Sequence, residues 1–256
     1  MIKVMVSGAN GHMGRFVTDI VAGYDDMEVV AGIDINASCG GAFPVFTSLD
    51  KCDVKADVVI DFSNPKVVPD LLKYCEETST AIVLCTTGLS EEVLKQAEET
   101  SKKVPLLKSA NMSLGVNLLM EILKPVSKAL ADAGFDIEIV ERHHNRKLDA
   151  PSGTALALAD SINEALNNEY EYTYDRSKRS EKRRPKEIGI SAVRGGSIVG
   201  EHEVIFAGSD EVVEFKHTAY SRALFAKGAV EAARFLASAK PGYYTMRDVV
   251  ADKLPK

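Results

Sequence analysis

Five short apolar runs, at 2–6, 29–33, 58–62, 81–85 and 104–107, alternate with helical stretches through the first half of this chain. That alternation is the signature of βαβ units. It specifies an α/β fold with a Rossmann-like, doubly wound parallel sheet. The clearest unit lies between Thr80 and Val104. A strand ends there at Cys85-Thr86-Thr87-Gly88, Ser90 caps a helix that opens on Glu91 and Glu92, and the helix closes on Lys102 and Lys103. Acids at the start and bases at the end suit the helix dipole.

The pattern changes after Ser109-Ala110-Asn111-Met112-Ser113-Leu114. A long helix over 116–131, a strand over 135–140, a second helix, and strands over 187–194, 197–206 and 211–218 joined by short Gly-containing turns predict a second, α+β domain on a mixed or antiparallel sheet. The alanine-rich run 222–239 reads as a helix that returns to the first domain. The expected division is therefore 1–113, 114–221 and 222–256.

The bulk numbers exclude several classes. With 256 residues, 45% hydrophobic and 27% charged, the chain suits one large or two modest globular domains. No run approaches the ~18 apolar residues that span a bilayer, and the start MIKVMVSGANG is too short and glycine-rich for a signal segment, so a cytoplasmic protein with no membrane partner is expected. Cys39, Cys52, Cys75 and Cys85 show no CxxC or Cys/His spacing, which favours reduced thiols and no metal site. A net charge of -6 argues against nucleic acid as the main partner. The basic run 176–186 cuts the other way. It is expected to be a mobile loop, read either as a solvated connection or as a lip that draws anionic ligands.

Gly8, Gly11 and Gly14 place a GxxGxxG turn between the first strand and a helix, where backbone can approach a pyrophosphate closely and the helix N-terminus supplies positive potential. Asp34 ends the second strand 20 residues beyond Gly14, in position to take ribose hydroxyls. A dinucleotide site follows. Ile35 and Asn36 come next, and neither is cationic, so nothing in that turn pairs with a 2'-phosphate. NADH is expected to bind at least as well as NADPH.

The densest chemistry lies in Glu141-Arg142-His143-His144-Asn145-Arg146-Lys147-Leu148-Asp149-Ala150-Pro151-Ser152-Gly153-Thr154. Four of the five residues from His143 to Lys147 can carry positive charge in a chain that is negative overall. Histidine can donate a proton near neutrality, and lysine can neutralise a carboxylate or a developing anion. Pro151 and Ser152 then open a helix whose amides near Gly153 and Thr154 would face an anion. The cluster reads as a site that holds a small dianion and protonates it.

Taken together, Gly8-Ala9-Asn10-Gly11-His12-Met13-Gly14, Thr86-Thr87-Gly88, Ala110-Asn111-Met112-Ser113, the string from Glu141 to Thr154, and Arg194-Gly195-Gly196 through Gly200-Glu201-His202 resemble the dihydrodipicolinate reductase family over essentially the whole chain. Also called 4-hydroxy-tetrahydrodipicolinate reductases, its members make tetrahydrodipicolinate in the diaminopimelate route to lysine with NADH or NADPH. The resemblance implies that His143 is the proton donor and Lys147 a second donor or charge stabiliser. It implies substrate contacts at His144, Gly153 and Thr154. The cofactor contacts it implies are Gly8, Ala9, Asn10, Gly11, His12, Met13, Asp34, Cys85, Thr86, Thr87, Ser109, Ala110, Asn111 and Met112. It also implies a substrate-binding and oligomerisation role for 114–221 and a homotetramer built through that domain's sheet. Two departures stand out: Cys85 where the family often has glycine, and the basic run 176–186 in place of a glycine-containing loop. Other two-domain NAD(P)-dependent oxidoreductases and a non-catalytic NAD sensor would share the N-terminal half, and the string at 143–155 speaks against both.

Overall fold

The computed structural model describes residues 1–37, 42–174, 176–177 and 179–254; Cys39, among the thiols, and Lys178, in the basic run, lie outside the described residues. The chain forms two compact units. One is Met1–Leu114 with Ala223–Lys256, and the other is Gly115–Arg222.

The first unit contains strands β1 (Ile2–Ser7), β2 (Met27–Ile33), β3 (Val45–Phe46), β4 (Val58–Asp61), β5 (Ala81–Leu84), β6 (Pro105–Leu107) and β12 (Gly242–Tyr244). Its helices are α1 (His12–Val21), α2 (Val68–Thr78), α3 (Glu91–Ser101), α6 (Ala223–Leu236) and α7 (Met246–Lys253). The strands pair in parallel in the order β12-β6-β5-β4-β1-β2-β3. Alternate residues of a strand face opposite ways, so each strand feeds two cores. Val4, Val6, Val58, Ile60 and Val83 pack with α1 and α6 on one face, while Met5, Val59, Ile82 and Leu84 pack with α2 and α3 on the other. This is the doubly wound sheet read from the sequence. Strand order reverses between β1 and β4, which is where such sheets open a ligand crevice at their carboxyl ends.

In the second unit α4 (Leu114–Asp132) and α5 (Gly153–Ala165) cover one face of a sheet made of β7 (Asp136–His143), β8 (Glu171–Thr173), β9 (Glu187–Arg194), β10 (Gly200–Ala207) and β11 (Val212–Ala219). The core joins Leu119, Leu123, Leu158 and Ile162 of the helices to Ile137, Ile139, Ile188, Val204 and Phe206 of the strands. The sheet is mixed, in the order β11-β10-β7-β9-β8. Although short turns join 187–194 to 197–206 in sequence, β9 and β10 do not pair with each other. β7 lies between them, parallel to β9 and antiparallel to β10.

In its described residues the basic run 176–186 is an ion-paired strap. Arg176 donates to Glu187 Oε2 at 2.6 Å and Glu138 Oε1 at 2.7 Å, and Arg179 to Glu187 Oε1 at 2.7 Å. Arg183 reaches Asp136 Oδ1 at 2.7 Å, Glu138 Oε1 at 3.2 Å and the main-chain oxygens of Ile137 and Glu187. Gly189 leaves the space that the Glu138 carboxylate occupies. Arg176, Arg179 and Arg183 thus answer acids on β7 and β9, while Arg184 pairs with Glu181 inside the run and Lys186 with Glu169.

Hydrogen bonds from Arg176, opposed by burial and joined by Arg179, hold Glu187 down at about 2. A depressed carboxylate stabilises the fold above its unfolded value and loses that contribution as pH falls from there through about 2. Glu187→Gln would strand two guanidinium groups that keep about a third of their exposure. We expect a loss of about 2 kcal/mol at neutral pH, below the usual 3–5 for a buried pair because of that exposure. Urea titration of both proteins should show the difference narrowing below about pH 4; a constant gap would refute the ion-pair origin.

Candidate active site

The first unit carries a candidate nucleotide site at the carboxyl ends of its strands. Gly8 follows β1 with φ +80°, and a side chain there would put Cβ 2.5 Å from the main-chain oxygen of Phe62, just beyond β4. Gly14 is buried against the backbone of Gly8 and Ala9, so the turn and the first turn of α1 are packed backbone to backbone. Gly11 N-caps α1 with no side-chain cap, and no acid stands in the first turn. The helix therefore presents uncompensated positive potential to the crevice. Asp34 is held ready by two amides: Asn10 donates to Oδ2 at 3.0 Å and Asn36 to Oδ1 at 3.2 Å. Asn10 Nδ2 donates to the Asn36 main-chain oxygen at 2.5 Å, closing the two turns on each other. Ser7, Gly8, Gly11, Asp34, Phe62 and Ser63 share the wall of one cleft.

The other expected cofactor residues sit along the same edge. Thr86 is buried, and its Oγ1 accepts from the Ser63 amide at 3.0 Å, while Thr87 is exposed. Cys85 is half-buried, donates its amide to the Asp61 main-chain oxygen at 3.0 Å, and has its thiol pushed up by burial. Ser109 and Asn111 are half-buried and Ala110 exposed beyond β6; the Asn111 side-chain oxygen accepts from the Ser113 amide at 2.8 Å. Met112 is buried, and Gly228 on α6 allows that helix to lie against its carbonyl. Ala9 is buried, Met13 half-buried, and the exposed His12 ring rests edge-on against Phe16 at 4.6 Å. Sequence reading passed over Asp61. It is fully buried at the end of β4, accepts from Ser63 Oγ at 2.5 Å, and has its acidity weakened by burial. The signal was there as a carboxylate closing the apolar run Val58-Val59-Ile60.

The second unit carries its own cluster of candidate catalytic residues. Alternation along β7 turns Ile137, Ile139, Glu141 and His143 inward together. Arg194 of β9 pairs in register with His143, and His202 of β10 pairs with Glu141. The connection from β9 to β10 crosses the end of β7, with the Gly195 amide donating to the His143 carbonyl at 2.9 Å and the Asn145 amide to Gly196 O at 3.2 Å. That crossing brings residues far apart in sequence onto one point.

Glu141 is fully buried, and four donors surround its carboxylate. His143 Nδ1 lies 2.6 Å from Oε2, Arg194 donates to both oxygens at 2.7 Å, and the Ser152 amide donates to Oε1 at 2.9 Å. Burial pushes Glu141 upward, and the bonds from Arg194, His143 and Ser152 outweigh it, holding the group below the usual carboxylate range. Such a carboxylate is ionised, and acceptor-only. Ser152 also caps α5: its Oγ accepts from the Ala155 amide at 3.1 Å and lies 2.9 Å from His202 Nε2. Burial, with His143 5.1 Å away between ring centres, pushes His202 down to about 4, so it is neutral near pH 7.

The expected substrate residues flank this core. Gly153 and Thr154 begin α5, Gly153 is exposed beside open space, and no acid stands in the first turn. Lys147 is half-buried with Nζ 2.8 Å from Asp149 Oδ1, and its amide donates to the His144 carbonyl at 3.1 Å. Half-buried His144 is held down by burial and by Arg146, His143, Arg222 and Lys147. Neutral histidines, a lysine and the N-terminus of α5, capped by Ser152 and carrying no acid in its first turn, make an anion-accepting surface beside a carboxylate-held histidine. Among the described residues no group of His, Cys, Asp and Glu is arranged to hold a metal ion. Sequence reading gave no role to Glu141, Arg194 or His202, all three of which the strand register gathers.

Comparison with known proteins gives this arrangement a lineage. Residues 2–112 match the family model for the dihydrodipicolinate reductase N-terminus, and residues 115–250 match that for its C-terminus. A protein of Caldanaerobacter subterraneus subsp. tengcongensis named 4-hydroxy-tetrahydrodipicolinate reductase is 52% identical over 250 residues, 98% of each chain. One of that name from Clostridium tetani is 50% identical over 96% of each. Among solved structures, dipicolinate-bound dihydrodipicolinate reductase from Paenisporosarcina sp. TG-14 superposes with a TM-score of 0.80 at 27% identity, covering 97% of this chain and 99% of the other. With both halves matched in order and relatives identical at half their positions from end to end, the chain belongs to the dihydrodipicolinate reductase family.

Proposed function

We propose that this protein reduces 4-hydroxy-tetrahydrodipicolinate, by way of dihydrodipicolinate, to tetrahydrodipicolinate with NADH or NADPH, in the diaminopimelate route to lysine. The observation that carries the reading is His143, held on the buried Glu141 carboxylate at 2.6 Å, with Lys147 and the N-terminus of α5, where Gly153 borders open space, in the same stretch of chain. The names of the relatives and the dipicolinate bound by the Paenisporosarcina enzyme point to the same ring dicarboxylate.

The backbone cradle at Gly8 and Gly14 and the amide-held Asp34 fit a dinucleotide, the first for its pyrophosphate and the second for its ribose hydroxyls. Gly8 to Met13, Cys85 to Thr87 and Ser109 to Met112 complete that wall. When bound, the reduced nicotinamide supplies hydride to the substrate ring. The chain's own residues do the rest. Lys147, His144 and the amides of Gly153 and Thr154 bind carboxylate and spread the charge that develops toward the ring nitrogen, and His143 delivers a proton to the ring carbon next to the site of reduction. Asp34 faces the ribose with no cation at Ile35 or Asn36, so a 2'-phosphate meets a carboxylate and NADH works at least as well as NADPH.

The test is oxidation of NADH and of NADPH, with and without the condensation product of pyruvate and aspartate semialdehyde made in situ by a synthase. Oxidation should depend on that product and run at least as fast with NADH. Silence with both cofactors would overturn the reading.

The reading extends to assembly and location. The face of the second unit's sheet turned away from α4 and α5 leaves Val140 and Ile205 half-buried and Val193 exposed among charged neighbours, a surface suited to a homotetramer. Sedimentation equilibrium should give four times the 27.7 kDa chain mass, and a monomer would refute the assembly. Among the described residues no helix is long and apolar enough to cross a membrane. The proposed reaction draws on reduced nicotinamide and places the enzyme in the cytoplasm.

A further inference from the structure

We propose that Glu141 and Arg194 are the positioning pair of this site: Glu141 fixes the proton of His143 on Nδ1 and leaves Nε2 as its working nitrogen, and Arg194 ties that carboxylate to the loop that carries Lys147. The proposal deepens the reductase reading and rests on it for its link to turnover.

A histidine has two nitrogens, and the hydrogen bond made by one decides what the other can do. An ionised carboxylate 2.6 Å from Nδ1 can only accept, so Nδ1 carries a proton in the neutral and charged ring alike. Proton exchange with a ligand is left to Nε2. The fold makes room for that nitrogen. A side chain at Gly200 would put Cβ 3.1 Å from Nε2, so the glycine in β10 is what leaves the ring its place.

Arg194 is more than a counter-ion. Its Nη1 and Nη2 hold both oxygens of Glu141 at 2.7 Å, and Nη2 also donates to the Asp149 main-chain oxygen at 2.6 Å. Asp149 in turn pairs with Lys147 at 2.8 Å. One guanidinium therefore links the group that orients His143 to the loop that presents Lys147. A planar fork suits this double duty and a lysine does not. Its side chain is 19% exposed and that of Glu141 0%, so Arg194 is the easier of the two to replace without disturbing the core.

Other charged and titratable groups stand in this cluster: His144 with Arg146, Lys147 and Arg222 about it, His202 with His217 beside it, and Asp149 against Lys147. All of them remain in both variants below. Any opposite displacement of the pH profile then belongs to the pair.

The experiment joins the pH dependence of kcat with proton NMR of His143 in the protein without ligands. Glu141→Gln should lower kcat by ~10²-fold or more, as expected when a histidine loses the partner that sets its tautomer, with KM for the dicarboxylate changed by less than about 3-fold. It should move the alkaline limb of the profile to lower pH. Arg194→Met removes a cation from the same carboxylate and should move that limb to higher pH. The wild type should show a slowly exchanging, downfield Nδ1–H signal that Glu141→Gln abolishes. A purely structural role predicts less active enzyme with unshifted limbs, and that result in folded variants overturns the proposal. If Glu141→Gln does not fold, the direction of the Arg194→Met shift decides alone. A wild type with the NMR signal but no substrate-dependent oxidation would overturn the reductase reading while supporting the His143–Glu141 geometry.

Discussion

Replacing His143 or Lys147 by alanine is expected to lower kcat by ~10²-fold or more and to leave NADH affinity unchanged. A positioned general acid contributes typically 10²–10⁴-fold, and preorganised charge beside a developing anion a similar amount. The two variants should differ in character. In the proposed roles His143 handles the proton, so its loss should fall on kcat with little change in KM, whereas Lys147 also meets carboxylate, so its loss should raise KM as well. Acting on one transition state, they should not be additive, and the double variant should cost far less than the product of the single effects. NADH affinity, read by fluorescence titration, should stay at the wild-type value because the cradle at Gly8, Gly14 and Asp34 belongs to the other unit. Unchanged turnover in both single variants would sink the assignment.

How much of this was legible depended on whether the signal was local. The parallel sheet of the first unit could be read because its strands are continuous apolar runs: 58–62 and 81–85 each contain four consecutive buried residues. Ser90 and Ser152 could be read as caps because capping is decided within four residues, and both accept from the expected amides. β3, β8 and β12 could not: β6 is as short, but it lies in a continuous apolar run, whereas these two- or three-residue strands carry neither a run nor a period. The placement of β7 between β9 and β10 is equally silent, because a strand's hydrophobic pattern records which face is buried and not which strand lies beside it. The cost of that silence was Arg194 and His202, whose places come only from register. Glu141 was closer to reach. In Ile137, Ile139, Glu141 and His143 the inward parity of an alternating strand runs straight through the acid, and a carboxylate on a core-facing position demands partners. The basic run misled for the opposite reason. Its charges are conspicuous in sequence, but Asp136 and Glu138, which answer Arg176 and Arg183, stand about forty residues upstream.

The second large effect is expected at Gly8. Gly8→Ala should weaken NADH binding by ~10²-fold and destabilise the first unit by about 2–4 kcal/mol, from two costs that cannot be relieved together. The first is conformational: at φ +80° an L side chain costs about 1–2 kcal/mol. The second is steric. Its Cβ would stand 2.5 Å from Phe62 O, 3.0 Å from Phe62 C and 3.2 Å from Ser63 Cα, all backbone atoms with no rotamer to move aside. Either the turn lifts off β4 or the end of β4 shifts and takes with it Ser63, whose amide binds Thr86 Oγ1. Both movements displace the wall proposed to meet the pyrophosphate. Two other glycines supply the controls. Gly88 has φ +73° with nothing within 4 Å of an added Cβ, so Gly88→Ala carries the conformational cost alone. Gly11 has φ -68° and one backbone contact at 3.1 Å, so Gly11→Ala carries a mild steric cost and no strain. Calorimetric titration of the three variants should therefore place Gly8→Ala well below the others in affinity. Wild-type NADH affinity in a folded Gly8→Ala protein would remove this turn from the cofactor site, and the approach of backbone to phosphate with it.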